Sequence, residues 1–320
     1  MASPSTLKGL PNLGNTCYLN SVIQALSVSE HFGEYMEAHG RHIFDPFAVF
    51  DDSRKTYVHM LQTFQKNIVP SGFHMMQQND AHELMVYLLD FYREKQKGQK
   101  RVSPPPNTIE PPRGQDDVDE IIFRCDEAWN REYAPVLDTA YVQTVRHTKC
   151  GLCGNLCVNP EVNPFVHVDS FNIKQGLQDC FSSRFVSDWT CDKCNGQSEK
   201  SYTSVSCARL PKLLVVCVNR FVSKSDINIP RKLDLSAYCI EPKSKGDEYY
   251  ELKCTINHTG AMHFGHYFMN IVIDKTRVLK IDDDTVGTAQ SIKSTDLKNA
   301  YMLFYERTSR NDDRRNSETS

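Results

Sequence analysis

The chain has no apolar run long enough to cross a membrane. Its longest aliphatic stretch is Leu213–Val218, against roughly 20 residues for a spanning helix. Its first residues, Met1-Ala2-Ser3-Pro4-Ser5-Thr6, lack the charged region and apolar core of a secretory signal. No basic block dominates any segment: 37 Lys and Arg stand against 40 Asp and Glu, a formal net charge of −3. The concentrated positive face that nucleic-acid binding needs is therefore missing. No internal repeat is visible. These absences lead to the expectation of a soluble cytoplasmic or nuclear protein, a monomer with no membrane and no nucleic-acid partner. In such a reducing compartment the 12 cysteines are expected to be thiols, metal ligands or catalysts, not disulfides.

What is present is an ordinary globular composition over 320 residues, 40% hydrophobic and 24% charged, enough for one large domain or two of common size. Residues 17–28 read as a helix, because Leu19, Val22, Ile23 and Leu26 share one face of a 3.6-residue period. Asn15 or Thr16 can cap it. A second helix is expected over about 79–94, with Met85, Leu88, Leu89 and Tyr92 as its apolar stripe. Residues 95–119, with Pro104-Pro105-Pro106 and Pro111-Pro112, read as an exposed connection. Beyond about 200 the β-rich runs 213–218, 249–256, 267–273, 278–281 and 301–305 suggest an antiparallel sheet. The polar residues 308–320 are expected to be disordered. The class is α+β, with a cleft between a helical front and a β-rich back as the natural site.

Cys17 lies where Gly14-Asn15-Thr16 gives way to a helix. The positive end of the macrodipole and the free N–H groups there favour thiolate and an oxyanion. For an isolated cysteine the ordinary reading is a buried thiol. The whole stretch Gly9-Leu10-Pro11-Asn12-Leu13-Gly14-Asn15-Thr16-Cys17-Tyr18-Leu19-Asn20-Ser21-Val22-Ile23-Gln24 changes that reading. It closely resembles the nucleophile segment of the ubiquitin-specific proteases, papain-like deubiquitinating cysteine proteases. The resemblance implies Cys17 as nucleophile and Asn12 as the donor to the oxyanion.

Further motifs carry the resemblance. His258-Thr259-Gly260 opens a loop that ends in Gly265-His266-Tyr267, similar to the family's histidine motif, which implies His266 as general base and His258 as a neighbour without a catalytic role. Gly265 and Tyr267 are expected to line the substrate channel. Ile281-Asp282-Asp283-Asp284 resembles the Phe-Asp-Asp segment, which implies Asp282 as orienter of the base and Asp283 as an auxiliary carboxylate. Gln78-Asn79-Asp80-Ala81-His82-Glu83-Leu84 resembles Gln-Gln-Asp-Ala-His-Glu. That match implies that Asp80 and Glu83, three apart on a helix face, hold the basic C-terminal tail of ubiquitin. Segments 210–221, 233–235 and 300–305 follow the palm pattern. Val278 and Ile281 stand where the family often has Trp and Phe. Phe264 stands where a small residue is usual, and is expected to narrow the channel for the substrate tail.

Two C-x-x-C pairs, Cys150/Cys153 and Cys191/Cys194, are separated by 37 residues. Each suits two ligands of a tetrahedral zinc site, and the wide separation suggests two hairpin tips. A vacant site, a redox pair and Cys157 as a substitute ligand remain open on spacing alone. The family's "fingers" imply one structural zinc held by all four. The resemblance spans about residues 9–307: a thumb over about 9–135, fingers over about 140–205 and a palm over about 206–307, after a tail 1–8. It implies ubiquitin and ubiquitinated proteins as partners. The rivals are the same chemistry on a ubiquitin-like modifier, or a non-enzymatic ubiquitin-binding scaffold.

Overall fold

The structure is a computed structural model that describes residues 8–39, 59, 72–73, 77–99, 117–219, 227–240, 248–261, 264–274, 276–291 and 299–308. The tail 1–7, most of the expected connection (100–116), Arg220, Phe221, Met262, His263 and the polar end from 309 lie outside the described residues.

The helices come first along the chain. They are α1 (Cys17–Ser27), α2 (Glu30–His39), α3 (Ala81–Gln96), α4 (Asp117–Glu132) and α5 (Pro135–Ala140). In α1 every residue from Cys17 to Leu26 is buried, so the helix runs through the interior with both its apolar and polar faces enclosed. No side chain caps it: Thr16 occupies the N-cap position, but its hydroxyl accepts from Leu13 N–H instead. The α3 stripe of Met85, Leu88, Leu89 and Tyr92 is buried as its period requires. That helix begins at Ala81 and runs to Gln96, so the exposed connection cannot start at 95.

Helix α4 also cuts into the other end of that connection, since it begins at Asp117. Its sequence signal is plain in hindsight: Ile121, Cys125 and Trp129, spaced four apart, are its buried stripe. Asp117, Asp119 and Glu120 in its first turn suit the positive end of the helix.

A four-stranded sheet follows, in the order β2-β1-β5-β4: β1 is Val142–Lys149, β2 Leu156–Asn163, β4 Ser183–Phe185 and β5 Tyr202–Arg209. The larger sheet runs β11-β10-β9-β8-β13-β6-β3, with β12 on β10 and β7 on β8. Its long members are β6 (Leu213–Val218), β8 (Tyr249–Ala261), β9 (Phe264–Val272), β10 (Arg277–Asp282) and β13 (Ala300–Arg307). Its short members are β3 (Val166–Val168), β7 (Lys232–Asp234), β11 (Thr285–Val286) and β12 (Gln290–Ser291). The expected strands all pair antiparallel; β3, from earlier in the chain, joins β6 in parallel. With helix α6 (Ile173–Cys180) packed on it, β3 adds part of the stretch 140–205 to the larger sheet, leaving β1, β2, β4 and β5 to the smaller one.

Strand periodicity divides the interior in two. Val215, Cys217, Cys254, Ile256, Met302 and Phe304 face the helices α1, α2, α3 and α5. Leu214, Val216, Val218, Leu252, Leu303 and Tyr305 face the other way, towards α6. Both faces of β6 are covered, which is why Leu213–Val218 reads as an unbroken aliphatic run.

Candidate active site and cysteine cluster

The catalytic candidates come from three chain segments pressed together at one edge of the larger sheet. Helix α1 packs on β9, which sets Cys17 at the helix start beside the strand that carries His266. Gly14 and Asn15 both have positive φ, 101° and 56°. This left-handed turn delivers Cys17 abruptly into the helix. Segment 9–12 lies against the loop after β10: Leu10 N–H donates to the Asp283 carbonyl at 2.8 Å. A Cβ on Gly9 would fall 2.3 Å from the Asp284 backbone, so only glycine permits that approach.

His266 Nε2 lies 2.5 Å from Asp282 Oδ1, which leaves Nδ1 as the nitrogen available to a thiol. Lys280 sits two residues before Asp282 on β10 and so shares its face; its Nζ lies 2.7 Å from Asp282 Oδ2. Burial pushes the Asp282 carboxyl up, but the bonds and charges of His266 and Lys280 outweigh it and hold the group below its usual range. Lys280 is absent from the motif reading, although the period of two along a strand would have found it. The Cys17 thiol is pushed up by its burial and, further, by the nearby Asp283 charge, while the backbone N–H groups of Tyr267 and Tyr18 oppose both. Among the described residues no hydrogen bond joins Cys17 to His266.

Asp283 is held in a left-handed conformation, φ 49°. Asn12 Nδ2 donates to its Oδ2 at 2.9 Å, and Asn20 Nδ2 to its Oδ1 at 2.7 Å. Asn12 Oδ1 accepts from the N–H groups of Gly14 and Thr16, both at 3.1 Å. Asn12 is thus fixed in orientation by one carboxylate and one turn. Asn20, one turn into α1 from Cys17, is a participant that the motif reading quoted but gave no role. His266, Asp282 and Asp283 each present an atom within 4.8 Å of the others.

Asp80 corrects one expectation. It does not share a helix face with Glu83, because it is the extended N-cap of α3 (φ −86°, ψ 132°), and its carboxylate accepts from the N–H groups of His82 and Glu83. The hydroxyls of Tyr267 and Tyr301 also donate to it, at 3.1 Å each. Burial, and then the Asp80 charge, push both phenols well above their usual range. Asp80 therefore ties α3 to β9 and β13, and Glu83 is the exposed acid of the pair. Gly265 N–H donates to Gln78 Oε1 at 2.9 Å. A Cβ on Gly265 would overlap His258 Nε2, so the glycine lets β8 and β9 close at the His266 end. Phe264 is 81% exposed, a large apolar ring presented to solvent two residues from His266.

The four cysteines of the C-x-x-C pairs meet. Cys150 and Cys153 lie between β1 and β2, Cys191 and Cys194 between β4 and β5, and all four sulfurs lie within 4.8 Å of one another. Cys150–Cys194 is 3.8 Å and Cys153–Cys191 3.7 Å, close to the ~3.8 Å edge of a tetrahedron with zinc–sulfur bonds of ~2.3 Å. The two turns match: Gly154 (φ 69°) and Asn195 (φ 53°) each follow the second cysteine in the left-handed conformation. The backbone N–H groups of Cys153 and Leu152 pull the Cys150 thiol down to about 6. Cys157 stands outside the cluster on β2. All twelve cysteines are free thiols. No helix among the described residues is long and apolar enough to cross a membrane.

Comparison with known proteins agrees with this geometry. Ubiquitin carboxyl-terminal hydrolase 17-like protein B of Mus musculus is 26% identical, over 93% of this chain and 63% of that protein. Ubiquitin carboxyl-terminal hydrolase 21 of Homo sapiens is 26% identical over 93% of this chain and 61% of that protein. This chain thus spans about three fifths of the length of these curated relatives. A chain of the SAGA DUB module of Ubp8, Sgf11, Sus1 and Sgf73, bound to monoubiquitin, has the same fold, with a TM-score of 0.71 at 18% identity, covering 97% of this chain and 71% of that one. Residues 8–305 match the ubiquitin carboxyl-terminal hydrolase family, and the chain belongs to that family, as one of its ubiquitin-specific proteases.

Proposed function

We propose that the protein is a thiol hydrolase that cleaves the bond after the C-terminal glycine of ubiquitin, releasing it from lysine side chains. The observation that carries this reading is the bond from His266 Nε2 to Asp282, on a strand packed against the helix that begins with Cys17. A ubiquitin-binding scaffold has no need of that arrangement. In the reaction, Nδ1 of His266 takes the Cys17 proton and the thiolate attacks the carbonyl carbon. Asn12, with one Nδ2 hydrogen held by Asp283, offers the other to the oxyanion. The C–N bond breaks as His266 gives its proton to the leaving amine. His266 then takes a proton from water, which attacks the thioester; the C–S bond breaks and Cys17 is restored.

Asp282 holds the base in its tautomer and supports the imidazolium, with Asp283 as the auxiliary carboxylate that positions Asn12. Glu83, with Asp80 behind it, receives the basic tail of ubiquitin; Gly265 and Tyr267 line the channel. The cysteine cluster binds one structural zinc through Cys150, Cys153, Cys191 and Cys194, since the donor set and its spacing fit that ion; it contributes folding energy to the fingers and no catalytic step. The helices form a thumb, the larger sheet a palm and the smaller sheet the fingers of a monomer working in the cytoplasm or nucleus. Ubiquitin carrying a C-terminal electrophile is the test. Wild type should form a covalent adduct and Cys17→Ala none. A folded wild type that forms no adduct, or one that reacts only with the probe of a ubiquitin-like modifier, would refute the assignment to ubiquitin.

A further inference from the structure

Among the described residues, three clusters of side chains could each bind a metal. One is the catalytic group and one the cysteines of the fingers. The third is His82, His167 and Cys217, which belongs to neither. Each presents one ligating atom, and the three atoms lie within 4.8 Å of one another. The fold places them together through three elements. His167 on β3 and Cys217 on β6 are register partners in the parallel pair, so their side chains leave the same face of the sheet. Their neighbours Val166, Val168, Val216 and Val218 face the other way, into the second core. His82 comes down onto this face from the first turn of α3, where its backbone N–H is fixed to Asp80 Oδ1 at 2.7 Å.

The ordinary reading of such a group is an aromatic cluster. His82 does pack on Phe165, ring centroids 4.6 Å apart, and on His167 at 5.1 Å. Packing does not account for its polar atoms. Nε2 of His82 is buried and has no hydrogen-bond partner, an unfavourable state for a polar atom that a ligand would relieve. A tetrahedral ion with bonds of ~2.0–2.3 Å needs donor–donor edges of ~3.4–3.6 Å. Separations within 4.8 Å leave at most about 1.4 Å to close on each edge, within the reach of side-chain rotation.

We propose that His82, His167 and Cys217 form a second metal site, which takes a divalent transition cation, zinc first, through two imidazoles and one thiolate. Cys217 is 2% exposed while His167 is exposed, so the fourth position lies on the solvent side, where a small ligand completes the tetrahedron. Binding exchanges the Cys217 S–H bond for an S–metal bond and releases one proton to solvent. The ion would pin the start of α3 to β3 and β6.

The test uses the full chain, loaded with zinc and dialysed so that only tightly held metal remains, then titrated with zinc by calorimetry. The expected result is one further equivalent per chain, weakened at least ~tenfold in His167→Ala and in His82→Ala. Titration with Co2+ gives a second readout: a thiolate-to-metal absorption band should be lost in Cys217→Ser and kept in Cys153→Ser. His167 is on the surface, so His167→Ala should keep its fold, as checked by circular dichroism. No second equivalent in wild type, or a second equivalent unaffected by His167→Ala, would overturn the proposal.

Discussion

Asp283→Asn should move two measurable properties of Cys17 in opposite directions. The Asp283 charge raises the Cys17 pKa, so removing it lowers that pKa and increases the thiolate fraction at neutral pH. Alkylation of the free protein by iodoacetamide should therefore become faster, by roughly threefold or more, the usual effect of deleting one close charge. Turnover should fall. Asp283 receives one hydrogen bond from Asn12 and one from Asn20, and an amide in its place turns an NH2 group towards one of those donors. Loss of one charge-assisted bond is worth about 2 kcal/mol, or roughly thirtyfold in kcat if Asn12 is thereby left unoriented. Asparagine tolerates the left-handed backbone at this position, so the melting temperature should hold within a few degrees. The assay pairs alkylation rates with hydrolysis of a fluorogenic ubiquitin C-terminal amide. If both rates fall, or neither changes, Asp283 does not control the nucleophile in the way its contacts indicate.

The other expectations concern different parts of the site. Because burial leads the causes that raise the Cys17 pKa, alkylation of free wild-type protein should climb with pH beyond the range of an ordinary thiol; a plateau at acidic pH would show a preformed ion pair with His266 instead. Gly265→Ala should reduce kcat about a hundredfold or more, because its methyl would overlap His258 and displace the strand that carries His266; retained activity would show that β8 and β9 separate easily. Phe264→Gly should change the preference for residues near the scissile bond, read from kcat/KM on tail-variant substrates, and an unchanged preference removes Phe264 from the channel. Strong chelation, or Cys191→Ser, should lower the melting temperature by roughly 5 °C or more while leaving Cys17 alkylation intact; no shift would argue against a structural ion in the fingers.

How much of this was legible beforehand depends on the range of each interaction. Helix α1 and strand β6 were readable because their signals are local: an apolar period in one and an unbroken aliphatic run in the other. The cysteine cluster was readable because its chemistry is repeated: two identical spacings closing on each other. Helix α4 carried an equally local stripe, but the proline-rich stretch before it drew the boundary too far along. The roles of Asp80 and Asp283 were not legible, for a different reason. A motif reports which residue stands at a position, and not which partners consume its hydrogen-bonding capacity. Asp80 reads as an acid offered to a substrate, yet its oxygens are taken by two N–H groups of its own helix and by two tyrosines from distant strands. Asp283 reads as a spare carboxylate beside the orienter, yet it holds Asn12 and Asn20. Both acids are charges held by several neutral donors, so either substitution leaves a set of oriented groups without a centre. Their loss should therefore appear in the alignment of Cys17, Asn12 and Tyr267 before it appears in any direct contact with substrate.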